Sequence, residues 1–209
     1  MKRGENCNIW VSLIIVLTTG MVLGLFIWNT YLDYVPHLYP LKFKKGEWIH
    51  APNESPQGYF RKEIYIPWDI KGAWIMLAAP DSFILYINGK ELDTQDQAMS
   101  NVSGVYDIRS YLRPGKNVIG VKVTRKTYPG PAKVVIEGGY LDQTGREYRF
   151  LSDTSWKTSS YEESRGSGSI TWYKEEFYAD SWSQAKVSGV PLAGEISGVW
   201  IHPDLLTSI

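Results

Sequence analysis

Residues 79–90 read APDSFILYINGK: an Asp behind a Pro, a run of strand formers, then Asn88-Gly89. Asn-Gly between two apolar runs is a strong hairpin signal, because both central residues of the tight turn take positive φ. The preceding run, AWIMLAA at 73–79, is equally apolar. The two runs therefore read as strands near the middle of a sandwich, separated by a turn at Asp81. A short carboxylate at such a turn accepts backbone N–H bonds. Closing the turn is the preferred role for Asp81, with ligand or Ca²⁺ binding as the alternative.

Outward from this stretch the pattern repeats. In YFRKEIYIP, 59–67, Phe60, Ile64 and Ile66 share one face while Tyr59, Arg61, Glu63 and Tyr65 share the other, as in a half-buried strand. GVYDIR, KNVIGVKVT, AKVVIEGGYLD and REYRFL follow, punctuated at Pro114-Gly115 and Gln143-Thr144-Gly145. Turn chemistry every ~8–12 residues is the all-β signature. Beyond residue 58 no helical period is sustained, although DSWSQAKV at 180–187 is expected to form one short helix.

Residues 9–28, IWVSLIIVLTTGMVLGLFIW, carry no charge, and Trp10 and Trp28 sit near the two ends. A helix of that length, at ~1.5 Å per residue, spans the ~30 Å hydrocarbon core. Lys2 and Arg3 also fit a cleaved signal, but the run exceeds the usual ~7–15 residues and no small-x-small site follows. An uncleaved anchor is expected. Long domains translocate largely regardless of charges such as Lys42, Lys44 and Lys45. Residues 1–8 then form a cytoplasmic tail, 29–40 a juxtamembrane connector and 41–209 an extracytoplasmic domain of a single-pass cell-membrane protein. Gly20-x-x-x-Gly24 provides a small-residue face for helix packing against a membrane-protein partner.

Cys7 is the one cysteine, so residues 41–209 hold no disulfide. The chain has 22 basic and 22 acidic residues and no basic stripe, which removes electrostatic support for nucleic-acid binding. His37, His50 and His202 lack ligand spacing, and no nucleophile triad or phosphate loop stands out, so neither metal nor cofactor is expected. The pairs Glu162-Glu163 and Glu175-Glu176 read as solvated loop faces instead of carboxylates set across a cleft. The chain is read as non-enzymatic.

The runs at 48–67, 79–92, 106–123, 151–159 and 178–185 together resemble the jelly-roll domains attached to bacterial α-L-rhamnosidases and related glycoside hydrolases. Phe60-Arg61-Lys62, Asp81 with Asn88-Gly89, Pro114-Gly115 with Asn117, Asp153 with Trp156 and Asp180 with Trp182 carry the likeness. It implies an all-β, galactose-binding-like jelly-roll sandwich, here preceded by one N-terminal transmembrane helix. The large catalytic domain of those enzymes is not matched, so their activity is not implied. Sugar binding, or packing on a neighbouring protein, is.

Counting strand reversals places 51–57, 80–82, 94–102, 125–131 and 151–170 at one end, and 68–72, 88–90, 110–116 and 141–145 at the other. The first set is longer. It carries Asp81, Arg125, Tyr128, Tyr161 and Arg165, with Trp172 just beyond, and is the candidate glycan site, since aromatic faces suit sugar rings and planar polar groups suit hydroxyls. Two functions remain. The preferred one is a non-catalytic structural subunit of a membrane complex, for example one that makes or exports polysaccharide; the alternative is a membrane-tethered carbohydrate-binding module. GEWIHAP at 46–52 is echoed by GVWIHPD at 198–204, too briefly to establish a repeat.

Overall fold

A computed structural model describes residues 16–27, 43–127, 129–166, 170–192, 196, 200 and 201. In chain order the strands are β1 (Ile49–His50), β2 (Gln57–Ile66), β3 (Ile70–Ile87), β4 (Lys90–Asp107), β5 (Gly115–Thr124), β6 (Lys133–Asp142) and β7 (Glu147–Leu151). Short pieces follow: β8 (Lys157–Ser159), β9 (Ser164–Arg165), β10 (Ile170–Thr171), β11 (Ser183–Gln184), β12 (Lys186–Val187) and β13 (Trp200–Ile201).

The two apolar runs flanking Asp81 are one strand, not two. Ile70–Ala78 pairs with β6, and Ser82–Ile87 pairs with β5. β4 follows β3 along both halves. At the change of partner the register slips between Pro80 and Ser82, and Asp81 sits at φ 63°. This is a β-bulge, and Asp is one of the few non-glycine residues that take the left-handed conformation routinely. The bulge bends β3 from one sheet into the other, so hydrogen bonding runs through the order β11-β8-β2-β5-β3-β6-β1-β12. Asn88 (φ 50°) and Gly89 (φ 82°) then form the tight turn that their sequence implies.

Alternate residues fill the space between the sheets. Phe60 and Ile66, Ile75 and Leu77, Phe83 and Leu85, and Ile119, Val121 and Val123 share one buried cluster with Trp156. Burying each such side chain contributes roughly 1.5–3 kcal/mol.

The outer face of the β2–β5 layer is also covered. Tyr59, Trp172, Phe177 and Trp182 form a second cluster there. Gly120 makes room for it, since a Cβ would lie 2.9 Å from the Trp172 ring. Arg61 fastens the covering segment: its Nε donates to Trp172 O at 3.0 Å, and its Nη2 to Lys174 O at 3.1 Å and Phe177 O at 2.7 Å. Burial lowers the guanidinium pKa, and Glu63 at 3.0 Å opposes that shift.

Residues 180–187 are not a helix. Trp182 packs in the outer cluster and Ala185 between the sheets, two surfaces that one short helical face cannot reach together. The chain instead crosses through β11 and β12. The echoed GEWIHAP and GVWIHPD stretches take different settings, β1 antiparallel to β6 and β12, and β13 parallel to β4.

The chain divides into two units, Met1–Pro40 and Leu41–Ile209. Residues 16–27 of the first are helical. Among the described residues no helix is long and apolar enough to cross a membrane, and residues 9–15 and 28 of the expected span lie outside them. A Cβ on Gly20 or Gly24 would meet nothing within 4 Å.

Candidate binding surfaces at the two ends of the sandwich

At the end chosen by loop length, 80–82 and 94–102 are not loops, because they lie within β3 and β4. The true loops do converge. Arg125 N donates to Pro56 O at 2.8 Å and Ala132 N to Ser55 O at 2.7 Å, and the Ser160 hydroxyl donates to Asn53 Oδ1. Asp81 is buried, and its Oδ2 accepts Lys126 N at 2.7 Å and Thr127 N at 3.0 Å. The carboxylate thus ties the bulge to the loop after β5. Arg125 folds onto its own loop, with Nη1 3.4 Å from Pro131 O.

Of the other candidates, Arg165 and Trp172 separate from these loops. Tyr161 is 75% exposed on the neighbouring loop. Arg165, on β9, lies over the Phe177 ring at 5.2 Å. Trp172 is fully buried, edge-on to Tyr59 at 5.4 Å and Tyr86 at 5.6 Å, so its face is closed to a ligand. Tyr128 lies outside the described residues. The structure therefore brings Asp81 and Arg125 together and leaves Arg165 and Trp172 with the outer cluster.

The opposite end has the more definite shape. Asn88 does more than form its turn: Nδ2 donates to Tyr111 O and to Asn117 Oδ1, both at 2.8 Å, and Oδ1 accepts Val118 N at 2.7 Å. Asn117, fully buried, accepts Arg113 N at 3.0 Å and donates to Arg113 O at 2.7 Å. These amides pin the loop between β4 and β5, which includes a one-turn 3-10 helix, Arg109–Tyr111. The Arg113 side chain, 63% exposed, projects from the pinned loop and grips both carboxylate oxygens of Glu175.

Two depressions flank this loop. One, of about 500 Å³, is lined by Asn88, Lys90, Tyr111, Arg113, Lys174 and Glu175. The other, of about 390 Å³, is lined by Asp69, Arg109, Ser110, Arg113, Pro114 and Gln143. Ser110, Leu112 and Arg113 border both. Exposed aromatics stand nearby: Trp68 (46%) precedes Asp69, Tyr65 (71%) is the register partner of Lys116, and Tyr178 (61%) has its ring 5.7 Å from Lys116 Nζ. That nitrogen donates to Glu175 O at 2.8 Å.

No family model matches the chain. An α-L-rhamnosidase of Streptomyces avermitilis is 26% identical over 160 residues, which is 71% of this chain and 15% of that enzyme. A crystal structure of the rhamnosidase of that organism with L-rhamnose superposes at a TM-score of 0.63, with 23% identity over 75% of this chain and 16% of the enzyme. A lectin of Pleurotus ostreatus, solved in complex with GalNAc, superposes at 0.57, with 20% identity over 75% of this chain and 46% of the lectin. The sandwich has the galactose-binding-like fold.

Within this galactose-binding-like sandwich one member of each acidic pair is engaged by a cation. Glu175 holds Arg113, and Glu162 lies 3.2 Å from Lys122 Nζ and 3.4 Å from the Tyr59 hydroxyl. Among the described residues no group of three His, Cys, Asp or Glu could hold a metal. The surface around Arg113 offers fixed donors, fixed acceptors and aromatic faces, the means to bind a polyhydroxylated ligand.

Proposed function

We propose that the chain is a non-catalytic carbohydrate-binding module, tethered to a membrane by residues 9–28, with its glycan site around Arg113. The observation that carries this reading is the pair of depressions that share Ser110, Leu112 and Arg113 as a wall, with Trp68 exposed next to Asp69 in the chain and Tyr65 and Tyr178 exposed beside Lys116. Likeness of fold to a lectin solved with GalNAc supports it. A domain outside the cytoplasm, with the N-terminus inside, fits the proposed tether.

The second reading is a subunit of a membrane complex handling polysaccharide, its helix packing on a partner helix through Gly20 and Gly24. The Gly20-x-x-x-Gly24 spacing on the helical stretch 16–27, a small-residue face for close helix approach, favours it.

Glycan-array screening of the full-length chain in detergent tests the first reading. Arg113→Ala and Tyr178→Ala are expected to weaken binding, the latter about 5–30-fold for one lost aromatic platform. Tyr161→Ala reports on the other end. Loss of binding in Tyr161→Ala alone moves the site to the 51–57 and 125–131 loops, and a blank array removes the module reading in favour of the subunit.

A further inference from the structure

Resting on the carbohydrate reading above, the geometry points to a ligand class: a chain of at least two linked sugars, held across a linkage by Arg113, not a single terminal sugar. The depressions are separate, about 500 and 390 Å³, and each alone reaches the ~300–1,000 Å³ of a small-molecule site. They meet at one wall, Ser110, Leu112 and Arg113, so a ligand filling both must pass that wall.

The wall is built to hold still. Arg113 is clamped at its backbone by Asn117 and at its guanidinium by Glu175, which leaves a planar group with remaining N–H donors at the crossing point. Exposed aromatics belong to the same end: Trp68 precedes Asp69 of one depression in the chain, and Lys116, beside Tyr65 and Tyr178, is bonded to Glu175 of the other. A chain crossing the wall thus fills both subsites, whereas one sugar would use one subsite and leave the second idle.

The test is calorimetric titration of the full-length chain with mono- to tetrasaccharide ladders of cellulose, xylan, β-mannan and polygalacturonate. The expected result is that one ladder binds, with affinity rising about ten-fold or more between one and three units and then levelling. Arg113→Ala should flatten that step, and Arg113→Lys, which keeps the charge but loses the planar fork, should flatten it in part. Should Arg113→Ala fail to fold, the lysine variant supplies the same reading. Equal affinity for monosaccharide and trisaccharide overturns the chain proposal while the glycan reading stands. A step that both variants leave intact overturns it too, since the shared wall would not be gripping the ligand. No binding by any ladder or monosaccharide overturns both.

Discussion

Glu137 holds Gly46: its Oε1 accepts the Gly46 N–H at 2.7 Å, together with those of Lys44 at 2.6 Å and Lys45 at 2.5 Å. The glutamate lies on β6, fully buried, and its Oε2 has no hydrogen-bond partner among the described residues. The hydrogen bonds that satisfy this buried carboxyl group therefore come from the 44–46 segment. Phe43 and Trp48, on either side, pack with Ala78 and Val135 on the same sheet face. A Cβ at Gly46 would come 2.8 Å from Ile136 O, so only glycine lets the segment approach this closely.

Glu137→Gln should cost about 2–4 kcal/mol of unfolding free energy. If the amide oxygen keeps the three N–H groups, the NH₂ takes the partnerless position; reversed, it faces three donors. Trypsin should also cut faster after Lys44 and Lys45, ahead of global unfolding. Unchanged urea midpoint and cleavage rate would show that the buried carboxylate is not what fastens this segment.

Arg61→Met should cost about 3–5 kcal/mol, because three carbonyls lose their donor in a buried setting. The loss should fall first on the outer cluster. Near-UV circular dichroism from Trp172 and Trp182 should weaken at denaturant concentrations where the far-UV β signal persists. If the two signals fall together with wild-type midpoint, the covering segment is held by its aromatics and not by Arg61.

Burial, followed by Glu91, pushes the Tyr86 hydroxyl up to about 12. An unfolded tyrosine ionises near ~10, so between those values the unfolded chain releases a proton that the folded one keeps. The contribution to stability is complete below pH ~10 and is lost as pH rises to about 12. Tyr86→Phe retains the ring stacked on Tyr173 at 4.1 Å but removes this titration. Its unfolding free energy should fall less steeply over that window than the wild type's; parallel curves would contradict the assignment. Tyr106, raised by burial and by its bond to Asp93, contributes equally to both proteins.

The β class, the Asn88-Gly89 hairpin and the alternation at 59–66 are legible in sequence because each rests on neighbours within a few positions. Alternation separates Tyr59 and Arg61 from the core-facing Phe60, yet it cannot tell that they are buried while Glu63 and Tyr65 are not. That depends on the segment 172–182, far along the chain. The surface around Arg113 is hidden for the same reason, since its walls come from 87–90, 109–114 and 174–176. Loop length pointed to the opposite end. The pairing of Asn88 with Asn117, both among the positions carrying the family likeness, was the signal available for this end.

Asp81 brings the same difficulty into residues 79–90. A residue suited to the left-handed conformation fits a turn or a bulge equally well, and which one forms is decided by β5 and β6, not by the residues around it. At the bulge the side chain and the backbone have separable jobs. Asp81→Gly keeps φ accessible and deletes the carboxylate that accepts Lys126 N and Thr127 N, so it should cost about 1.5–3 kcal/mol. Asp81→Ala loses both and should cost about 1–2 kcal/mol more, the penalty for a Cβ at positive φ. Asp81→Asn tolerates the conformation and still offers an oxygen to the loop, so it should be the mildest of the three. Glycan affinity per folded molecule should be unchanged in all of them if the site surrounds Arg113. A series in which stability is level while affinity falls with the carboxylate would reverse the assignment, making Asp81 a ligand group and the 125–131 loop the site.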